Sequence, residues 1–488
     1  MDADYPGIVV QSAQKTDGRR GDGLAELIAR RVSESPEAVF LEDARSERVV
    51  RYAELAELPA RAAALEADGA VLVAAEDPID FALSYLAALA AGRRVAPVAP
   101  DSSPATLDTL CRQFTGTTVV VRALDELPAA AGSTDTDNDS APERRGSAVL
   151  FTSGSTGTPK GVELGEAQLL HVARAIAAHN RLSAEDRGYN PLPLFHINAE
   201  VVGVLATLVA GATLVLDRRF HRTGFWPLMR ERRVTWINAV PAILAILAKE
   251  PIEPPQGLRF IRSASAPLPE SVAAGFAGIP LVVSYGMTEA ASQITATPLD
   301  GSAPAGSVGR GIGVEIEARD EDGKVLPAAS AGRLWIRGPG VISHYFANAA
   351  ADRFDADGWL STGDLGSIDD DGFVTLLGRS DDVINRGGEL VYPADVEDVL
   401  LRDERVREVV VVGKPDPVLG HVPVAFVIAA SAQTDADELR AALIERATAE
   451  LPRHLRPVEI TITEELPRAS TGKVQRARIR AALAEEAQ

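Results

Sequence analysis

Between Val149 and Gly161 the chain reads Val-Leu-Phe-Thr-Ser-Gly-Ser-Thr-Gly-Thr-Pro-Lys-Gly, an apolar run that stops abruptly in glycines, hydroxyls and one lysine. This is a composition for holding phosphate. Gly154 and Gly157 let the backbone turn and expose its N–H groups, while Thr152, Ser153, Ser155, Thr156 and Thr158 add hydroxyl donors. Lys160 adds a positive charge that can neutralise a polyphosphate oxygen. The spacing differs from that of the P-loop, because no glycine directly precedes Lys160 and Gly161 stands where a serine or threonine is needed. A P-loop kinase or GTPase is therefore disfavoured. A Gly/Ser/Thr run alone is also ordinary loop composition, so other segments must decide.

The stretch closely resembles the phosphate-binding signature of the adenylate-forming superfamily, which includes acyl-CoA synthetases, nonribosomal adenylation domains and beetle luciferases. Further resemblances run from about Gly23 to Arg476. Tyr285-Gly286-Met287-Thr288-Glu289 resembles the second signature: it implies a ring stacked on adenine, a Thr288 hydroxyl on the α-phosphate, and a Glu289 carboxylate holding Mg²⁺ against the phosphates. The segment from Ser263 through Ser265, Ala266 and Pro267 resembles the loop on the other side of the adenine. In Ser361-Thr-Gly-Asp-Leu-Gly366 the resemblance makes Asp364 the acceptor for both ribose hydroxyls, which one carboxylate can serve. Arg379 matches an arginine that contacts ribose or phosphate, and Asp381 falls at the hinge about which a small lobe rotates.

Pro467-Arg-Ala-Ser-Thr-Gly-Lys473 resembles the last signature, with Lys473 matching its catalytic lysine. An ammonium there offsets charge that builds as a carboxylate oxygen attacks the α-phosphorus. Asn385-Arg-Gly387-Gly388-Glu389 corresponds to a loop brought to the pantetheine tunnel, where glycine permits close approach. That loop also occurs in members that load carrier proteins. After Phe195, amino-acid-activating relatives carry an aspartate for the α-amino group; here His196 follows, which disfavours an amino acid and resembles the acyl-pocket wall of acyl- and aryl-CoA synthetases. With His196, Asn198, Val202, Ser263 and Ser284 as pocket candidates, mostly small or apolar, a bulky hydrophobic or aromatic acid is permitted without being selected. Two departures stand out: Arg333 where Gly-Glu is common, and His454 where tyrosine is frequent.

These residues need elements to position them. The rhythm from Gly23 onward is βαβ, with strands expected at Val71 and Val95 and a helix from Phe81 to Ala91, which predicts a mostly parallel sheet covered on both faces. Runs at 147–152, before Pro193, at 258–261 and at 280–284 end in the loops named above, and ligands collect at the carboxyl ends of such strands. A helix carrying Leu169, Val172, Ala173 and Ile176 on one face is expected after the phosphate loop, and residues 129–146 read as a mobile loop. The pattern turns to short alternating runs from Gly301 to Leu377, then to a mixed lobe with helices from Pro393 and Asp435 and strands at 409–412 and 424–428. The expected fold is α/β: a large N-terminal domain, 1–378, of two βα-repeat subdomains plus a β-barrel-like subdomain, and a small mobile α+β C-terminal domain, 379–488.

Composition narrows the partners. With 488 residues, two or three domains are expected. A formal charge of −20 argues against nucleic acid, so an anionic substrate must be held by specific loops. The single Cys111 excludes an intrachain disulfide and a cysteine zinc cluster and fits a reducing cytoplasm, and no apolar run is long enough for a membrane span. The expected activity is ATP- and Mg²⁺-dependent conversion of a carboxylic acid to acyl-AMP, then to a thioester with coenzyme A. One alternative is an adenylating enzyme that loads a carrier-protein phosphopantetheine; another is a non-enzymatic nucleotide or acid sensor, which would not need Lys473.

Overall fold

A computed structural model describes residues 23–65, 68–128, 145–152, 160–346, 353–468 and 474–486. Ser153, Gly154, Ser155, Thr156, Gly157, Thr158 and Lys473, the side chains of Thr152 and Lys160, and most of the 129–146 segment lie outside the described residues.

Two sheets build the body. The larger is nine-stranded, and its centre runs Leu281–Tyr285, Phe260–Ser263, Trp236–Ala239, Arg187–Asn190, Thr213–Leu216, Val39–Asp43. All of these neighbours pair in parallel, and only the outer strands are antiparallel. The smaller has five strands in the order Val119–Val121, Val71–Val73, Arg94–Pro97, Ser147–Thr152, Lys160–Gly165. Helix Pro78–Ala90 touches strands of both sheets. It is therefore apolar almost all round, with eleven of its thirteen residues buried, and has no solvent stripe. Its start is fixed by Pro78 at the first turn and by Asp77, whose carboxylate accepts the Ile79 and Asp80 N–H groups.

Lys160–Gly165 folds back as a strand antiparallel to Ser147–Thr152, pairing Thr152 with Lys160, and the expected helix follows as Glu166–His179 with Leu169, Val172, Ala173 and Ile176 buried. The signal was Val162 and Leu164, buried at alternating positions. The β-subdomain is an open antiparallel meander of Glu315–Arg319, Gly332–Arg337, Leu360–Ile368 and Val374–Arg379, whose two edge strands do not pair with each other, so it is not closed into a barrel. Arg333 is exposed on it.

Residues 384–483 pack around their own apolar clusters. A sheet of five strands is covered on one face by Pro393–Leu400 and Ala436–Glu450, whose apolar residues join Val409, Val411, Ala425 and Val427. The other face, with Val410, Val412 and Val424, takes Ile479 and Leu483 of the last helix. Among the described residues no helix is long and apolar enough to cross a membrane.

Candidate active site

Four adjacent strands of the larger sheet deliver polar side chains to one layer at their carboxyl ends. Asn238 pairs in register with Arg262, so their side chains share a face, and Asn190 and Ser284 extend the row on either side. Asn238 Nδ2 donates to Asn190 Oδ1 at 2.9 Å and to Asn198 Oδ1 at 3.1 Å. Arg262 Nη1 donates to Asn198 and Asn238 at 3.1 Å each, Nη2 to Ser284 Oγ at 3.0 Å, and Nε and Nη2 to Gln293 Oε1 at 3.3 Å. Every partner is neutral. Burial without a counter-charge pulls the guanidinium pKa down to about 9. Asn198 also reaches Ser265 Oγ at 3.4 Å, which links this layer to the expected adenine loop.

Around it stand most of the acyl-pocket candidates. His196 packs its ring 4.5 Å from that of Phe195, and burial pushes its pKa down, so the imidazole is neutral at neutral pH. Helix Ala199–Leu205 is π-wound, and it buries Val202 and Glu200. Ser263 and Ser284 are buried, and the Ser263 hydroxyl has no hydrogen-bond partner. Ser265, Ala266 and Pro267 are exposed, with Ser265 at φ 76°, a left-handed conformation that marks a constrained loop.

On the nucleotide side, Tyr285 donates its hydroxyl to Asp364 Oδ2 at 2.5 Å, and Arg379 Nη1 donates to Asp364 Oδ1 at 3.1 Å. Burial and the adjacent carboxylate raise the Tyr285 pKa far above that of a free phenol, so it stays a donor. Gly286 cannot be replaced: a Cβ there would sit 1.5 Å from the Ser292 carbonyl oxygen. Next to it, the turn Thr288–Ala290 packs against the Lys160–Gly165 strand, which brings the second signature beside the phosphate hairpin. Glu289 is buried; its Oε1 accepts from Tyr345 Oη at 2.7 Å and from Arg353 Nη1 at 3.1 Å. Arg353 is held in turn by the Ser361 carbonyl at 3.0 Å. Among the described residues no group of three or more His, Cys, Asp or Glu side chains is arranged to hold a metal. A cation carried mainly by phosphate needs fewer protein ligands, and the buried Glu289 carboxylate fits one of them.

The remaining candidates lie toward the C-terminal lobe. Asp381 is exposed and sits 3.4 Å from Arg379 Nε, while Arg480 from the last helix donates to the Asp381 carbonyl and to Asp382 Oδ1, both at 2.7 Å. Gly387 and Gly388 form the exposed tip of a hairpin, at φ 62° and 99°. His454 lies 3.8 Å from Glu389 beside that hairpin, and its carbonyl accepts from Arg386 at 2.8 Å. A surface concavity lined by Glu185, Arg187, Arg230 and Gln256 lies at the opposite, N-terminal edge of the large sheet, away from all of these groups.

Sequence reasoning missed Arg262, Asn238, Gln293 and the Tyr345–Arg353 pair. An arginine inside the apolar strand Phe260-Ile-Arg-Ser263 was the available signal, because every residue of that strand is buried.

The family model described as AMP-binding enzyme matches residues 28–346, and that of the AMP-binding enzyme C-terminal domain matches 395–473. A sulfoacetate–CoA ligase of Cupriavidus necator is 37% identical over 391 residues, covering 78% of this chain and 76% of that protein. An oxalate–CoA ligase of Arabidopsis thaliana is 35% identical over 377 residues, covering 74% and 73%. Among solved structures, the o-succinylbenzoate CoA synthetase of Bacillus subtilis, in complex with its acyl-adenylate intermediate, superposes with a TM-score of 0.81 at 27% identity over 93% of this chain and 97% of that one. The chain belongs to the AMP-binding enzyme family, the adenylate-forming superfamily.

Proposed function

We propose that this protein is an AMP-forming acid–CoA ligase that works in two half-reactions on one nucleotide site. A carboxylate oxygen of the acid attacks the α-phosphorus of ATP, the bond to the bridging oxygen breaks, and pyrophosphate leaves with its charge. The thiol of coenzyme A then loses its proton and attacks the acyl carbonyl, and AMP departs. The observation that carries this reading is the convergence of Tyr285, Asp364 and Arg379 beside the Thr288–Ala290 turn and the phosphate hairpin. That constellation offers a ring face for the base, a carboxylate for the ribose and donors for the phosphates.

Roles follow from position. Asp364 is the ribose acceptor, and Tyr285 and Arg379 orient it. Thr288 and residues 152–160 would hold phosphate, and Glu289 would be the protein ligand to Mg²⁺, which when bound would neutralise charge on the pyrophosphate. His196 stays neutral and closes the acyl pocket without adding a charge. Lys473, on the C-terminal lobe, meets the charge that develops as oxygen attacks phosphorus. Rotation at Asp381 then withdraws Lys473 and brings the Gly387–Gly388 tip to the thiol. Under this reading 1–378 is the nucleotide- and acyl-binding domain and 379–488 the moving one. A cytoplasmic setting belongs to the same proposal, resting on the lone cysteine.

Sulfoacetate and oxalate, the acids in the two relatives' names, are small and bear a second acidic group. Small diacids are therefore the first acids to try. The test is pyrophosphate release from ATP and Mg²⁺ across a carboxylate panel, with and without CoA, with mass spectrometry of the products. Acyl-CoA from any acid is the expected result. Acyl-AMP that reacts only with carrier-bound phosphopantetheine would replace CoA as the thiol, and ATP binding without pyrophosphate release across the panel would overturn the ligase reading.

A further inference from the structure

Arg262 is an unusual residue to find in the middle of a parallel sheet. Its side chain is 1% exposed, and no carboxylate among the described residues lies within ion-pair distance. Taking an unpaired charge out of water costs several kcal/mol even after relaxation, and neutral amides repay only part of that. An apolar residue would pack this strand at lower cost, as Val282 does at the paired position of the neighbouring strand. The charge is also felt nearby: together with burial it pushes the His179 pKa down.

A second observation points the same way. Gln293 is 2% exposed and turns its carbonyl oxygen to Arg262, yet its amide Nε2 has no partner at all. Its donors sit beside the guanidinium with nothing to receive them. Ser284, the other outer partner, both accepts from Arg262 and donates to Gln293 Oε1 at 3.1 Å, so a change of its χ1 rotamer would release an arginine N–H. The inner partners, Asn198 and Asn238, are tied to each other and to Asn190 and hold the guanidinium plane in place.

We propose that Arg262, with Ser284 and Gln293, is the receptor for a second anionic group on the acid, a carboxylate or a sulfonate, and that it selects diacids and sulfo-acids over plain monocarboxylates. Asn198 ties this layer to the expected adenine loop, accepting from Arg262 and reaching Ser265 Oγ at 3.4 Å, and His196 lies two residues before it in the chain. A fork of N–H donors matches the two oxygens of such a group, and the anion supplies the counter-charge that the layer lacks. The chain carries a net charge of −20, so a dianion is repelled by the surface as a whole and needs one dedicated buried cation. A bulky hydrophobic or aromatic acid, which the small neighbours permit without selecting, would leave this cation without a counter-charge.

The inference rests on the ligase reading, and the experiment separates the two. Acyl-CoA formation by the full-length enzyme is measured for pairs matched in length: malonate and sulfoacetate against propionate, succinate against butyrate. The wild type is expected to favour the dianionic member in kcat/KM by on the order of 10- to 1000-fold. Arg262→Met is expected to cut that ratio at least tenfold, and Arg262→Lys, which keeps the charge but not the fork, to give an intermediate ratio. If Arg262→Met does not fold, the wild-type ratios and the lysine variant carry the test. Wild-type turnover of propionate as fast as malonate overturns the receptor while leaving the ligase intact, and so does a ratio unchanged in both variants. No acyl-CoA from any acid overturns the ligase reading and the receptor with it. A preference for sulfoacetate over malonate, or the reverse, identifies which anion the fork fits.

Discussion

The strand-end layer around Arg262 and the segment 379–382 are both rich in hydrogen bonds, yet they are built on opposite principles. In the first, six side chains from successive strands and one helix close on one another in the interior. In the second, Arg379, Asp381, Asp382 and Arg480 meet at the surface, with Asp381 and Arg379 about half exposed. Buried polar networks resist deformation because each broken bond strands a desolvated group. Exposed ion pairs exchange with water and are worth 0 to about 1 kcal/mol. A wall that selects an acid has to stay still, whereas a lobe that serves two half-reactions has to turn. Under the proposed reading, the chain places rigid chemistry where the substrate is read and cheaply broken contacts where motion is required.

Lys473→Ala tests the moving side most severely. Loss of a charge aimed at the developing transition state is expected to slow acyl-AMP formation by about 10²- to 10³-fold. Thioester formation from supplied acyl-AMP is expected to stay within a few-fold of wild type. Single-turnover assays of each half-reaction read this directly, and equal loss in both would end the idea that the lobe withdraws its lysine between steps. Asp364→Ala comes next, because Asp364 stands where the two regions meet, bonded to Tyr285 on one side and Arg379 on the other. Removing a carboxylate that accepts charged and ribose hydrogen bonds is expected to raise the KM for ATP by roughly 10- to 100-fold while changing the KM for the acid little. A matching rise for the acid would mean that the adenine wall and the acyl layer are one mechanical unit.

The two regions were unequally legible from the sequence. Tyr285, Asp364, Arg379 and Asp381 lie in short linear signatures, and the structure brings the first three into direct contact. Arg262 gave only the signal of a charge within an apolar strand, because its significance depends on neighbours 22 to 64 residues away in sequence. No local pattern distinguishes a buried arginine from a strand-end arginine in solvent. The βαβ rhythm gave the parallel sheets, since each strand is a short apolar run. It did not announce the strand Lys160–Gly165, where the alternation of Val162 and Leu164 lay hidden behind the glycine-rich loop.

Glu200 offers a measure of how rigid the substrate side is. It is 1% exposed in the π-wound helix, neither carboxyl oxygen has a hydrogen-bond partner, and the Tyr85 hydroxyl faces it without reaching hydrogen-bond geometry. Burial pushes its pKa up to about 8. In the unfolded chain the group loses its proton near pH 4.5, while in the folded protein it keeps it until about pH 8. Folding therefore binds a proton across that window, and stability falls as pH rises, by about 1.4 kcal/mol per pH unit. Glu200→Gln removes the titration and keeps the shape. The variant's melting temperature relative to wild type is expected to climb steadily from pH 5 to pH 8. Parallel curves would show that water or a conformational shift relaxes the site, and the rigid half of the comparison would lose its support.

The smallest effect belongs at the hinge. Asp381→Ala deletes only the 3.4 Å contact with Arg379, an exposed pair at the long end of hydrogen-bond geometry, and leaves the backbone carbonyl that Arg480 uses. By the usual worth of such pairs, the stability change is expected to stay below about 0.5 kcal/mol, a shift in melting temperature of a degree or two. The substitution also frees Arg379 from one of its two carboxylates, leaving Asp364 as its partner, so ATP binding is expected to change less than about threefold. Both numbers are small for the same reason: at the proposed pivot, a contact that breaks in every cycle cannot hold much free energy without slowing the turn. A loss of 2 kcal/mol or more, seen in denaturant titration with an unchanged m-value, would show that the 379–382 segment is a fixed brace and would move the pivot elsewhere along the 378–384 connection.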